Sequence, residues 1–380
     1  MVIFTYIYFF IKNTMQILQK TLCLLLVSAL TLSAGKPTSK SNLYITQGRT
    51  DKTEDNRIIL VGPGSSVTFS YKGSQCTINA QSLNNYNQYD YIAIEVDGKY
   101  MGKEKVNIKP GNVFINIPSG ENDIHKVTVY KATEAGNGSI IFSGAKGNIV
   151  KTKKEKGKKK IEFIGDSITC GMGNETEEIP CGTGDWFDQH NAYFAYGPVT
   201  SRTLDADFVL SSVSGIGIYR NWNDEHEKEK IMPDVYENIY LNNSDKTVPY
   251  KFGFNPDITC IALGTNDFSD GDGKKERLPF NTDKYVESYV NFIKTVYSHS
   301  PNTQIVLLTS PMVKGEKAKV FTNCLKRVQA AYKDDKKHKP IQVFEFSDIT
   351  PHGCGYHPDI EDHQEMANEL APFLKSLLNE

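Results

Sequence analysis

The sequence predicts an all-β domain followed by an α/β domain on a parallel sheet. Residues 36–150 contain short alternating runs split by turn pairs, with no helical period of useful length. Residues 161–380 alternate apolar strand-like runs with segments of helical spacing. The first of these runs, Ile161-Glu162-Phe163-Ile164, leads straight into Gly165-Asp166-Ser167, a strand ending in a tight turn with a serine at its tip. Open α/β sheets place their chemistry at the carboxyl ends of strands. A chain of 380 residues is long enough for two ordinary domains.

The N-terminus has the order of an export signal. From Met15, a polar start with Lys20 precedes the apolar run Leu22 to Leu30, and small residues lead to Ser33-Ala34-Gly35. We read residues 1–34 as a signal peptide, with Met15 as an alternative start because Phe4 to Ile11 is a separate apolar run. The apolar core after Met15 is short for a membrane span, which needs ~20 residues. No cysteine follows the small residues, so a lipoprotein anchor is not indicated. The predicted location is secreted or periplasmic, with no membrane span left once the signal is removed.

In the β region, Ser66 to Tyr71, Ile92 to Val96, His125 to Tyr130 and Ser139 to Phe142 read as strands. Pro63-Gly64, Asp97-Gly98 and Pro110-Gly111 punctuate them, as in a sandwich. Lys151 to Lys160 is a basic run, read as a linker or solvated edge. A polyanion-binding patch is the sharper alternative, but no aromatics are interleaved with the lysines. In the α/β region, strands are predicted at Ile161–Ile164, Phe208–Leu210, Ile258–Leu263, Gln304–Leu308 and Ile341–Phe346. Helices are predicted around Tyr285 to Val296, at Lys317–Asp335 and at Ile360–Leu378.

The net charge of −2 gives no electrostatic footprint for nucleic acid. With 20 Tyr and 19 Phe, the chain is rich in rings that suit sugar faces, although core packing accounts for most such residues. Six cysteines follow the signal. Export permits disulfides. Cys170 and Cys181, flanking the loop after the serine, are the predicted pair, and Cys260 reads as a buried thiol inside a strand.

Ser167 is the candidate nucleophile, and a hydroxyl needs an adjacent base. His357 is the candidate base. Candidate donors to a developing oxyanion are the Ser167 N–H, the backbone at Gly215 and the Asn266 side chain. A Gly-Asp-Ser turn is common by itself, and turn chemistry also accounts for Gly215 and Asn266 singly. Their order along the chain is what favours catalysis. His352, Cys354, His357 and His363 cluster in sequence without a trustworthy zinc spacing, so no metal or cofactor is predicted. Trp186, Trp222 and Tyr356 are candidate substrate-binding residues, with loop packing an equal alternative.

Gly165-Asp166-Ser167, Gly215, Gly264-Thr265-Asn266-Asp267 and His357-Pro358 resemble, in order, the four blocks of the SGNH or GDSL-type hydrolases. Within them the chain is similar to carbohydrate esterase family two. That resemblance rests on the preceding β domain, Asn191 to Tyr196, Ser214 to Ile218, Met232 to Tyr236, and Pro256-Asp257 before Leu263 to Phe268. It implies a jelly-roll-like sandwich and a flavodoxin-like α/β/α domain. It also implies serine-dependent removal of O-acetyl groups from plant polysaccharide, with xylan and glucomannan left open. Ser167 would be nucleophile, His357 base, and Ser167, Gly215 and Asn266 the oxyanion hole. Most of the superfamily carries aspartate three residues before the histidine, where this chain has Cys354. The resemblance therefore implies a Ser–His dyad oriented by a backbone carbonyl, with Asp359 and Asp362 as weaker substitutes. The alternatives are a lipid or lysophospholipid esterase on the same scaffold and a carbohydrate-binding protein with little turnover.

Overall fold

The computed structural model describes residues 43–116, 123–243 and 247–379. The proposed signal peptide lies outside them. No helix among the described residues is long and apolar enough to cross a membrane.

The N-terminal region is two antiparallel sheets. The first, six-stranded, runs β1 (Ile45–Gln47), β4 (Ser66–Lys72), β9 (Ile124–Lys131), β6 (Tyr89–Val96) and β7 (Lys99–Asn107), with β11 (Ile149–Val150) also on β4. The second, five-stranded, runs β2 (Thr50–Lys52), β3 (Ile58–Leu60), β10 (Gly138–Lys146), β5 (Gln75–Asn84) and β8 (Gly111–Asn116). Their sequences alternate where only the face turned to the other sheet is covered. In β4, for example, Val67, Phe69 and Tyr71 are buried. They meet Ile78 and Ala80 of β5 and Phe142 of β10 in one core between the sheets.

The α/β region has a five-stranded parallel sheet in the order β13 (Asp207–Ser212), β12 (Lys160–Gly165), β14 (Ile258–Ala262), β15 (Gln304–Leu308), β16 (Gln342–Phe344). Its strands are nearly continuous apolar runs because both faces are covered. Ile164, Ile261, Ile305 and Leu307 face one cluster, with α3 (Met232–Val235), α4 (Thr282–His299) and α5 (Gly315–Ala331). Phe163, Leu210, Cys260 and Val306 face the other, with α6 (Ile360–Leu378). That second cluster also takes in Tyr91, Ala93 and Tyr130 of the sandwich, so the two regions share a core. The helix α2 (Tyr196–Thr203) was not apparent in the apolar periodicity; it packs on α6.

The basic run is a connection rather than a free tether. Thr152 ties it to the sandwich, its hydroxyl donating to Leu43 O at 2.8 Å and accepting Ser70 N–H at 2.9 Å. Lys158 pairs with Glu155 and Asp205, each at 2.6 Å.

Candidate active site

The strand order places β12 between β13 and β14, and the crevice at their carboxyl ends is where such sheets bind ligands. Ser167 follows β12, Gly215 follows β13 and Asn266 follows β14. Ser167 opens the one-turn helix α1 (Ser167–Cys170), with Asp166 as N-cap accepting the Ile168 N–H at 3.1 Å. Gly165 makes this turn possible: a Cβ there would lie 2.1 Å from Thr169 Oγ1.

His357 arrives from the loop before α6. Its Nε2 lies 2.7 Å from Ser167 Oγ, and its Nδ1 lies 2.9 Å from Gly355 O. A carbonyl only accepts, so Nδ1 carries the proton and Nε2 is left as the acceptor of the serine O–H. Ser167 is 5 % exposed and His357 9 %. Burial is the main cause holding the His357 imidazolium below the usual histidine range, the Gly355 bond opposing it. At neutral pH the ring is therefore a free base facing a hydroxyl.

The loop after β13 is fixed from several sides. Gly215, at φ +75°, adopts the left-handed conformation that glycine tolerates. Gly215 O accepts Trp222 N–H at 2.9 Å, and Ile216 O accepts from Asn266 Nδ2 at 2.8 Å. Asn266 thus keeps one amide hydrogen for another acceptor. Behind it, Asp267 gathers the N–H groups of Ile218, Tyr219 and Arg220 at 2.9–3.2 Å. Burial pushes the Asp267 carboxyl up to about 6 against those bonds.

A Ser–His contact at the carboxyl end of a parallel sheet, behind an antiparallel β region, occurs here in a chain that matches known proteins over most of its described length. Residues 161–370 match the GDSL-like lipase/acylhydrolase family, and residues 46–152 match the N-terminal domain of carbohydrate esterase 2. The acetylxylan esterase / glucomannan deacetylase of Cellvibrio japonicus is 34% identical over 273 residues, covering 70% of this chain and 73% of that protein. The chain belongs to the family-two carbohydrate esterases. This makes it a carboxylic ester hydrolase. A family-two esterase from Clostridium thermocellum, solved with cellohexaose, superimposes with a TM-score of 0.75 at 27% identity, over 88% of this chain and 99% of that one. A family-two esterase from Cellvibrio japonicus shares the fold at a TM-score of 0.77 and 23% identity, over 89% and 96%.

Two sequence expectations need correction or refinement in this esterase. Cys181 is bonded not to Cys170 but to Cys354, with Cα atoms 5.2 Å apart. Cys170 ends α1 with its side chain turned inward, its Sγ 3.2 Å from Ser212 Oγ, and it is a buried free thiol like Cys260. Proximity in sequence was misleading because Cys170 is buried while Cys181 lies on the exposed loop that meets Cys354. Cys354, read as a thiol three residues before the base, is therefore half of a cystine. Its N–H donates to Gly173 O at 2.9 Å, and the bridge secures the turn that presents the Gly355 carbonyl.

The carboxylates after the histidine serve the helix. Asp359 caps α6, its side chain accepting the Asp362 N–H at 2.9 Å, while Asp362 Oδ2 accepts the N–H groups of Asp359 and His352. His352 Nδ1 lies 2.8 Å from Asp362 Oδ1, and with Asp359 these form, among the described residues, the one group of three His, Cys, Asp or Glu side chains whose ligand atoms lie within 4.8 Å of one another. His363, also weighed as a ligand, is buried with its Nδ1 accepting Tyr196 N–H at 3.2 Å.

Of the candidate aromatics, Trp222 borders Gly215, its Cβ 3.9 Å from where a Gly215 Cβ would stand. Trp186 meets the buried His190 ring edge-on at 4.8 Å and Tyr86 of the sandwich at 6.5 Å. Tyr356 is 86 % exposed at φ +63°, next to the base. Sequence reasoning missed Asp267 and the sandwich residue Glu134, whose Oε2 accepts Ser214 N–H at 2.8 Å. Asp267 ends the Gly264-Thr265-Asn266-Asp267 block and was within reach, though it was given no role; nothing in the Thr133-Glu134-Ala135 sequence signals a contact with the α/β region.

Proposed function

We propose that this esterase is exported and removes O-acetyl groups from plant cell-wall polysaccharide, xylan or glucomannan, through a Ser167–His357 dyad. The single observation that carries the reading is the alignment of Gly355 O, His357 and Ser167 Oγ, with contacts of 2.9 Å and 2.7 Å. His357 takes the serine proton as Ser167 Oγ attacks the acetyl carbonyl. Negative charge develops on the carbonyl oxygen, and the Ser167 N–H, the Gly215 N–H and the Asn266 amide stabilise it. His357 then gives the proton to the departing sugar hydroxyl, leaving acetyl-Ser167. A water molecule, deprotonated by the same ring, releases acetate and restores the serine. The Gly355 carbonyl holds the tautomer that this cycle needs, and no metal or cofactor takes part.

The Cellvibrio relative named an acetylxylan esterase / glucomannan deacetylase, and the Clostridium relative solved with cellohexaose, support a glycan substrate. Trp186, Trp222 and Tyr356 would line its path. We assign residues 1–34 to a signal peptide, 36–150 to a jelly-roll-like sandwich, 151–160 to the basic linker and 161–380 to the hydrolase domain. The strand crossovers between the two antiparallel sheets support the jelly-roll-like description. Secretion or delivery to the periplasm fits an insoluble substrate.

Acetate release from acetylated xylan and glucomannan, together with aryl esters of increasing acyl length, tests the reading. Acetate release with a steep preference for acetyl over long acyl chains is expected. A preference for long acyl chains would favour a lipid esterase, and no release from any ester would favour a binding protein.

A further inference from the structure

Glu134 belongs to the sandwich, in the turn between β9 and β10, yet its carboxylate is buried against the loop that carries Gly215. That loop has each neighbouring polar group engaged: Gly215 O with Trp222 N–H, Ile216 O with Asn266, and Gly217 N–H with Asn221 Oδ1 at 3.0 Å. Among the described residues no acceptor takes the Gly215 N–H. The preceding peptide is held at both ends: Glu134 Oε2 accepts Ser214 N–H at 2.8 Å, the one side-chain contact to that peptide among the described residues, and Val213 O accepts Ile216 N–H at 3.4 Å. The turn bearing Glu134 is itself locked, since the buried Lys131 Nζ donates to Glu134 O at 2.8 Å and to Thr133 O at 3.0 Å.

The other carboxylate oxygen, Oε1, faces His190 Nε2 at 3.4 Å, and both side chains are buried. Among the described residues His190 has no other hydrogen-bond partner on either ring nitrogen, and Trp186 meets it edge-on. Burying a carboxylate is costly unless it is paired. Burial would raise the Glu134 carboxyl, but His190 and the Ser214 N–H outweigh it and keep the group ionised. A fixed anion beside a developing oxyanion opposes it by charge. Any benefit of Glu134 to catalysis must therefore be geometric.

We propose that Glu134 is a positioning residue through which the sandwich aims the Gly215 N–H at the reacting carbonyl, with His190 as its counter-group. This rests on the dyad reading above. It gives the N-terminal region a part in the reaction itself, beyond any part in holding glycan.

The test uses the full chain with Glu134→Gln, Glu134→Asp and Glu134→Leu, p-nitrophenyl acetate as substrate and a p-nitrophenyl phosphonate as a probe of Ser167. Loss of one oxyanion donor typically lowers kcat ~10²–10³-fold. Leu removes the acceptor and Asp withdraws it by one methylene, so both should lower kcat by at least ~10-fold. KM should change little, and phosphonylation should slow in parallel. Gln offers a carbonyl to the same N–H and should stay within ~5-fold of wild type, a rescue that follows from the acceptor rather than the charge. If Leu fails to fold, the Asp and Gln pair decides. Unchanged kcat in folded Asp or Leu variants, with only thermal stability lowered, would overturn the inference while leaving the dyad intact. Gln falling as far as Asp would overturn it as well. A wild type with no ester turnover would overturn both readings together.

Discussion

At the residue scale, the proposed chemistry turns on how one imidazole is held. A full triad places a carboxylate on the far nitrogen of the base, whereas here that nitrogen meets the Gly355 carbonyl. A neutral acceptor fixes the tautomer but stabilises the imidazolium less than an anion does. Replacing the aspartate of a triad can cost ~10⁴ in kcat. Asp359→Ala and Asp362→Ala should instead lower kcat less than ~10-fold while costing about 1 kcal/mol as lost helix caps. Steady-state kinetics beside chemical denaturation will check this. A fall of ~10³ or more in kcat for either folded variant would mean that a carboxylate supports His357 after all. Burial also gives His357 a pH signature. Its protonated form is disfavoured relative to a free histidine, so the acid limb of kcat/KM should lie below pH ~6.5. A limb above that value would contradict the burial argument.

At the scale of elements, the disulfide and α6 set the histidine loop. The Cys181–Cys354 bridge spans 173 residues of sequence. Removing a bridge of this kind typically costs ~2–5 kcal/mol. Cys181→Ser with Cys354→Ser should lower stability by about that much, and also kcat, because the turn bearing the Gly355 carbonyl loses its tether. Thermal melting and kinetics on the double variant measure both, and peptide mapping without reduction should recover the linked pair. In α6, His363 stacks on Tyr196 of α2 and is fully buried, burial pushing its pKa down to about 3. Below pH ~6.5 the unfolded chain takes up a proton that the native state refuses until about 3. Stability should therefore fall as pH drops through that window, by up to ~1.4 kcal/mol per pH unit from this site. His363→Gln keeps an acceptor for Tyr196 N–H and should flatten that part of the curve. Denaturation at pH 6.5 and 4.5 gives the difference, and an unchanged slope would show that His363 does not govern it.

At the scale of the whole molecule, the sandwich and the α/β region share charged groups as well as apolar core. Arg49 of the sandwich is fully buried and donates to Ser211 Oγ, Tyr236 O and Asn238 O at 2.8–3.1 Å. Ser211 and Tyr236 in turn donate to the buried Glu162 of β12. Removing one partner of such a buried network typically costs ~3–5 kcal/mol. Arg49→Ala should lose about that much, and calorimetry should still give one unfolding transition for both regions. Two separate transitions in the wild type would refute the shared core.

Local pattern made much of this legible in the sequence. Alternation in β4, the continuous apolar runs of β12 and β14, and the Ser167, Gly215, Asn266 and His357 blocks each depend on neighbours along the chain. What was hidden depends on distant partners: Cys354 for Cys181, Ser214 for Glu134, and Ser211 for Arg49. The helix α2 was hidden too, because Pro198 and Gly197 break its pattern while burial on α6 supplies the stability that its propensity lacks.

The most direct measurement of the central claim is acetate release from acetylated xylan or glucomannan by the wild type and by Ser167→Ala, with the fold of the variant verified by circular dichroism. The account predicts steady release by the wild type and a loss of at least ~10³-fold in the variant, since without the hydroxyl no acetyl-enzyme can form. Turnover by folded Ser167→Ala within ~10-fold of wild type would contradict a mechanism through Ser167.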